Sequence, residues 1–134
     1  MLKHQTILIV EDEPFVALEL LEAVERMGGR PVGPVATVAA ALALIETMAI
    51  DSAILDVQLA DRDITPVALR LIAMGKPLVF QTGTGLPPSL REAGGDLPIL
   101  SKPVAADTVL AHLSAEMRRH AGLAACLLPV SRQL

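Results

Sequence analysis

Four apolar residues run without interruption into three acids and a proline: Ile7-Leu8-Ile9-Val10-Glu11-Asp12-Glu13-Pro14. A continuous run of leucine and β-branched residues fits a strand buried on both faces, the environment of a parallel sheet. Pro14 suits the first turn of a helix, where its missing N–H would be unpaired anyway. The acids therefore fall at the carboxyl end of a buried strand, where open α/β sheets place their sites. Neighbouring carboxylates repel and desolvate one another unless a cation neutralises them. Two uses stay open for this stretch. One is a cation site on Glu11 and Asp12; the other is a solvated acidic N-cap for the next helix, which Glu13 supplies well.

The rest of the chain repeats the strand-then-helix pattern. Val16, Leu20, Leu21, Val24 and Met27 recur at helical spacing over residues 14–28, and Gly28-Gly29 stop that helix. Residues 31–35 form an apolar run whose prolines demote it to an edge strand. Thr37 caps a helix to about Met48, with Val38, Leu42 and Ile45 as its buried stripe. Residues 51–56 give a strand ending in Asp56, and 64–75 a helix with Leu69 and Ile72 inward. Residues 76–81 form a fourth strand, which runs into Thr82-Gly83-Thr84-Gly85. The glycines and prolines of 83–95 leave room for only a short or irregular fourth helix, about 89–93, in a mobile loop. A last strand over 97–101 and a helix over 105–119 complete the order. This alternation predicts an α/β fold: a doubly wound, five-stranded parallel sheet with right-handed crossovers and helices on both faces.

Composition narrows the function classes. The chain has 134 residues, about the size of one domain, and 52% of them are apolar. It carries no Trp or Tyr and two Phe, which argues against stacking of bases or sugars. A net charge of −4 argues against a nucleic-acid partner. The single cysteine, Cys126, excludes an internal disulfide or a thiolate metal cluster and reads as a buried inert thiol. Without a signal-peptide pattern or an apolar run near membrane-span length, a cytoplasmic protein with no membrane partner is expected. The segment after residue 122 is oddly apolar for a chain end; it is expected to pack on the body, to be disordered, or to meet a partner.

Parallel strands share their carboxyl ends, so Glu11, Asp12, Asp56, Thr82 and Lys102 are predicted to face one crevice. Hard oxygen ligands suit Mg²⁺. A carboxylate can act as nucleophile toward phosphorus, while a hydroxyl and an ammonium hold phosphoryl oxygens. Singly, each of these residues also has an ordinary use at a turn or on the surface.

Taken in order, Ile-Leu-Ile-Val-Glu-Asp-Glu-Pro, Ala-Ile-Leu-Asp-Val-Gln-Leu, Phe-Gln-Thr-Gly and Ser-Lys-Pro resemble the receiver domain of two-component response regulators, over about residues 5–120. The resemblance implies a flavodoxin-like (CheY-like) strand order 2-1-3-4-5, with residues 1–121 as the receiver and 122–134 as an apolar tail. It also implies that Glu11 and Asp12 are the acidic Mg²⁺ pair, with Glu11 acting mostly through water. Asp56 is then the phosphoacceptor, the Gln58 carbonyl a backbone metal ligand, Thr82 the switch hydroxyl and Lys102 the phosphate-pairing lysine. The Lys102-Pro103 bond corresponds to one that is cis in the family. Gln58 and Thr84 sit where the acyl-phosphate lifetime is tuned. Ile99 departs from the family, which usually has an aromatic gate there. Phe80-Gln81-Thr82-Gly83-Thr84-Gly85 partly resembles the Phe-Ala-Thr-Gly-x-Tyr motif of the FAT GUY subgroup, with Gln81 for Ala and Gly85 for Tyr.

The expected function is a stand-alone receiver, not an enzyme in the ordinary sense. It takes phosphoryl from a sensor histidine kinase or histidine phosphotransfer protein and passes the signal by contact with a downstream protein, as a monomer or weak dimer. A phosphorylation-independent binding module on the same fold is the alternative. A phosphatase or flavin carrier is disfavoured. The third strand ends Asp56-Val57-Gln58 rather than Asp-x-Asp, and Glu11-Asp12-Glu13 would repel a flavin phosphate.

Overall fold

A computed structural model describes residues 2–94 and 96–126. The elements alternate: β1 Thr6–Val10, α1 Pro14–Arg26, β2 Arg30–Val35, α2 Val38–Thr47, β3 Ser52–Asp56, α3 Thr65–Ala73, β4 Leu78–Thr82, α4 Pro88–Gly94, β5 Ile99–Ser101 and α5 Ala106–Cys126. The strands form one sheet in the order β2-β1-β3-β4-β5, with every pairing parallel. This is the doubly wound parallel sheet that the alternation predicted, in the flavodoxin-like order that the resemblance implied.

Two apolar layers sandwich the sheet, because successive strand side chains point to opposite faces. Leu8, Val10, Ala53, Leu55, Leu78 and Phe80 pack on the side of α2, α3 and α4. Ile7, Ile9, Ile54 and Val79 pack on the opposite side with Leu20 and Val24 of α1 and Val109, Leu110 and Leu113 of α5. Every residue of β3 and β4 is buried, as expected of central parallel strands.

Several local expectations are refined. Thr37 does cap α2, its hydroxyl accepting from the Ala40 N–H at 3.1 Å. Glu13 stands at the N-cap of α1, but its side chain makes no capping hydrogen bond. The buried face of α3 is Val67, Ala68 and Leu71; Leu69, expected inward, is exposed. That segment is apolar on two faces, so its phase depends on where Pro66 lets the helix begin. The fourth helix is short, as its glycines and prolines required. The last helix continues past residue 119 to Cys126, carried by Ala121, Ala124 and Ala125 across Gly122. The expectation of a packed, disordered or partner-binding tail lies, for residues 127–134, outside the described residues, as does the Cys126 side chain.

The edge strand β2 is bent where it supports the site. The Gly33-Pro34 peptide is cis, Gly33 has φ +92°, and the register slips between Leu8 and Val10. A Cβ on Gly33 would lie 2.8 Å from the Ile9 carbonyl oxygen, so only glycine fits. Beyond the slip, the Glu11 N–H donates to the Val35 carbonyl at 2.9 Å, which extends the ladder to the first acid.

Candidate functional site: an acidic pole at the carboxyl edge of the sheet

The ladder also continues past the ends of β3 and β5. The Val57 N–H donates to the Gln81 carbonyl at 3.2 Å, and the Lys102 N–H to the Thr82 carbonyl at 2.9 Å. Glu11, Asp56 and Lys102 are thus fixed by backbone bonds before any side chain meets another. Strand alternation places Asp56 and Gln81 on the α1/α5 side, in step with Ile54 and Val79, and Thr82 on the other side with Phe80.

Carboxylate oxygens of Glu11, Asp12 and Asp56 lie within 4.8 Å of one another. Glu11 and Asp56 are buried and Asp12 is exposed. Lys102 reaches both buried acids, its Nζ 2.9 Å from Glu11 Oε1 and 3.3 Å from Asp56 Oδ2. One ammonium does not balance three carboxylates. Burial, then the hydrogen bond and like charge of Glu11, push the Asp56 carboxyl up to about 7, against the pull of Lys102. Burial lowers the Lys102 ammonium, but Glu11 and Asp56 outweigh it and hold it above its ordinary value. The donor set is all oxygen, with one acid open to solvent, and suits a hard cation.

Thr82 is brought to the same edge, but its hydroxyl faces the loop that follows β4. It donates to the Gly85 carbonyl and accepts from the Thr84 and Gly85 N–H groups, each at 3.1 Å. Gly83 and Thr84 are exposed in that loop. Gln58 is exposed and forms an antiparallel bridge with Asp63, so the loop after Asp56 folds back on itself. The Lys102-Pro103 peptide is cis. Ile99 is 46% exposed on the short edge strand β5, with no aromatic ring in its place.

Two residues of the site were not picked out from the sequence. Gln81 is buried, and its amide donates to Glu11 Oε1 at 3.0 Å. The signal was a lone amide at the carboxyl end of an otherwise apolar strand. Asp61 accepts from the Val38 and Ala39 N–H groups at 3.0 and 3.2 Å and so ties the loop after β3 to α2. Nothing near Asp61 in sequence announces that contact.

No protein-family model and no curated protein matches the chain. Solved structures do. The solution structure of SdrG from Sphingomonas melonis Fr1 is 43% identical with a TM-score of 0.68, covering 83% of this chain and 97% of that one. The chain belongs to the response regulator receiver family. The receiver is also similar to the response regulator PhyR from Brucella abortus, at 30% identity and TM-score 0.74 over 92% of its length, spanning 52% of that chain. A CheY-like receiver domain protein from Methanospirillum hungatei JF-1, at 22% identity and TM-score 0.77, shares the fold over 90% of this chain and 98% of its own. Receivers are signalling domains rather than enzymes in the ordinary sense. Among the described residues, no helix is long and apolar enough to cross a membrane.

Proposed function

We propose that this receiver, a member of the FAT GUY subgroup, accepts a phosphoryl group on Asp56 from a histidine kinase or phosphotransfer protein. The observation that carries the reading is the convergence of Glu11, Asp12 and Asp56 within 4.8 Å, with Lys102 bridging the two buried acids. An ionised Asp56 oxygen attacks the phosphorus of a phosphohistidine. The O–P bond forms as the N–P bond breaks, and the electron pair stays on the imidazole nitrogen. Asp12, Asp56 and the Gln58 carbonyl, with Glu11 mostly through water, would hold a Mg²⁺ ion, which when bound would supply charge neutralisation for that transfer. Lys102 takes one phosphoryl oxygen. Thr82 takes another, and in turning it gives up three hydrogen bonds to residues 84 and 85, which frees the loop after β4. That release relays the signal without an aromatic ring at position 99. Gln58 and Thr84 flank the acyl phosphate and set its lifetime. Phe15, 78% exposed, and Leu18, 53% exposed, offer a kinase an apolar ridge on α1 beside the site. Residues 83–94 and α5 face the downstream protein.

Fluoroberyllate with Mg²⁺ is expected to shift the Thr82 and Lys102 amide signals and to leave them still in Asp56→Ala. An unshifted wild type, or the same shift in Asp56→Ala, overturns the reading. The second reading, a binding module that works without phosphate, is favoured by the exposed aliphatic Ile99. It requires that Mg²⁺ fail to bind, and Asp56 labelling by a kinase excludes it.

A further inference from the structure

We infer that Gln81 is a positioning residue that lets Lys102 leave Glu11. The inference rests on the phosphoacceptor reading above. Glu11 is almost fully buried, at 2% exposure, so each of its oxygens needs a donor. Oε2 accepts from the Glu13 N–H at 3.1 Å. Oε1 has two donors, Lys102 Nζ at 2.9 Å and Gln81 Nε2 at 3.0 Å. Lys102 has two duties. Before phosphorylation it holds Glu11, and afterwards it holds the phosphoryl group. Without a second donor, its departure would leave Oε1 with no donor from the protein, and losing a donor at a buried charged acceptor is costly.

Gln81 is placed to stay behind. It lies on β4 and pairs in register with Asp56 of β3 and Leu100 of β5, so both neighbouring strands fix its backbone. Its side chain is only 1% exposed and already bonded to Glu11, so the amide stays with the carboxylate. It also floors a cleft of about 350 Å³ between α1 and the β5–α5 loop, lined by Val16, Glu19, Pro103 and Val104 among others. The Lys102 side chain lines that same cleft, 23% exposed, which leaves its ammonium room to move. A purely space-filling Gln81 would be replaced without loss by an apolar side chain of the same length.

Two titrations separate these roles, followed by amide signals because the chain has no Trp or Tyr. Mg²⁺ is added alone, and then fluoroberyllate at saturating Mg²⁺. In Gln81→Met the Mg²⁺ midpoint is expected within about threefold of wild type, while the fluoroberyllate midpoint rises about tenfold or more, the scale of one lost bond to a charged group. Gln81→Asn keeps an amide that is too short to reach Glu11. It is expected to show the same split, which covers the case that methionine disturbs the fold. Unchanged midpoints in both variants, or equal changes in the two titrations, overturn the role of Gln81 alone. A wild type that takes neither Mg²⁺ nor fluoroberyllate overturns the phosphoacceptor reading and this inference with it.

Discussion

The two sides of the sheet's carboxyl edge are built differently. Over β1 and β3, the acids are held by an ammonium, an amide and a backbone N–H, and the loop after Asp56 is tied down at Asp61 and Asp63. Over β4 and β5, the loop after Thr82 is held at its start by one hydroxyl, α4 has 7 residues and β5 has 3. Local opening is easiest where few bonds hold the backbone. The first side keeps the acids and Lys102 in place, and the second has fewer bonds to hold its shape. Thr82 stands at the boundary: its backbone belongs to the rigid ladder and its hydroxyl to the soft loop.

The rigid side should fail most when its one cation is removed. Lys102→Met leaves Glu11 and Asp56 facing each other without an ammonium. Removing one partner of a buried pair costs about 3 kcal/mol. Urea unfolding at pH 8 without metal is expected to show a loss of that order, and Mg²⁺ should restore part of it. An unchanged midpoint would mean that the acids are not strained against each other.

A smaller effect of the same origin appears with pH. Asp56 is raised from 3.8 to about 7 in the folded protein, so the folded state binds its proton more tightly than the unfolded state does. This group therefore subtracts stability as pH rises from about 4 through about 7, and the loss levels off above that. Metal-free unfolding followed across this window should fall by on the order of 2 kcal/mol. Asp56→Asn should flatten the slope and raise stability at pH 8. Mg²⁺ affinity should rise over the same window as the proton leaves.

Much of this was readable in the sequence, for reasons that differ by residue. Buried parallel strands announce themselves as continuous apolar runs, so the ends of β1 and β3, and with them Glu11 and Asp56, could be placed without any contact information; Lys102 was placed by the shorter apolar run before it, although β5 proves to be a partly exposed edge strand. The phase of α3 could not, because Val67, Leu69, Leu71 and Ile72 put apolar side chains on two faces. The last helix was expected to stop near Arg119 and instead crosses Gly122 to Cys126, since a glycine at the surface looks the same whether it caps or continues. Gln81 was read as a departure from a motif. Its bond to Glu11 spans 70 positions, and only the pairing of β1, β3 and β4 brings the two together. The Thr82 hydroxyl was recognised, but its loop partners depend on the turn at Gly85, where φ is +89°.

The soft side should respond to Thr82 with little change in global stability. Thr82→Ala removes three hydrogen bonds to the loop, while Thr82→Ser keeps them. A loss of about 1 kcal/mol in unfolding free energy is expected for Ala. Faster amide exchange at Thr84 and Gly85 should accompany it, with no change at Val57 or Gln58. Exchange that spreads to the loop after Asp56 would erase the division between the two sides.

The smallest effect tests the division from the rigid side. Asp61 is exposed, and its carboxyl is held below its ordinary value, chiefly by the Val38 N–H, with the N–H groups of Ala39, Asp61 and Arg62 adding to it. Asp61→Asn keeps an acceptor but removes the charge, and Asp61→Ala removes both. Amide exchange at Val38 and Ala39 should quicken severalfold in Ala and less in Asn, while exchange in the cores on either side of the sheet stays as it was. Because the folded carboxyl is depressed, its contribution is complete at neutral pH and is lost only as pH falls below the ordinary carboxylate range. If Asp61→Ala also weakens Mg²⁺ binding, the tie to α2 sets the position of the Gln58 carbonyl. If Mg²⁺ binding holds while Val38 and Ala39 open, the loop after β3 owes its shape to the Gln58–Asp63 bridge instead, and the rigidity of this side is local to the seven residues that follow Asp56.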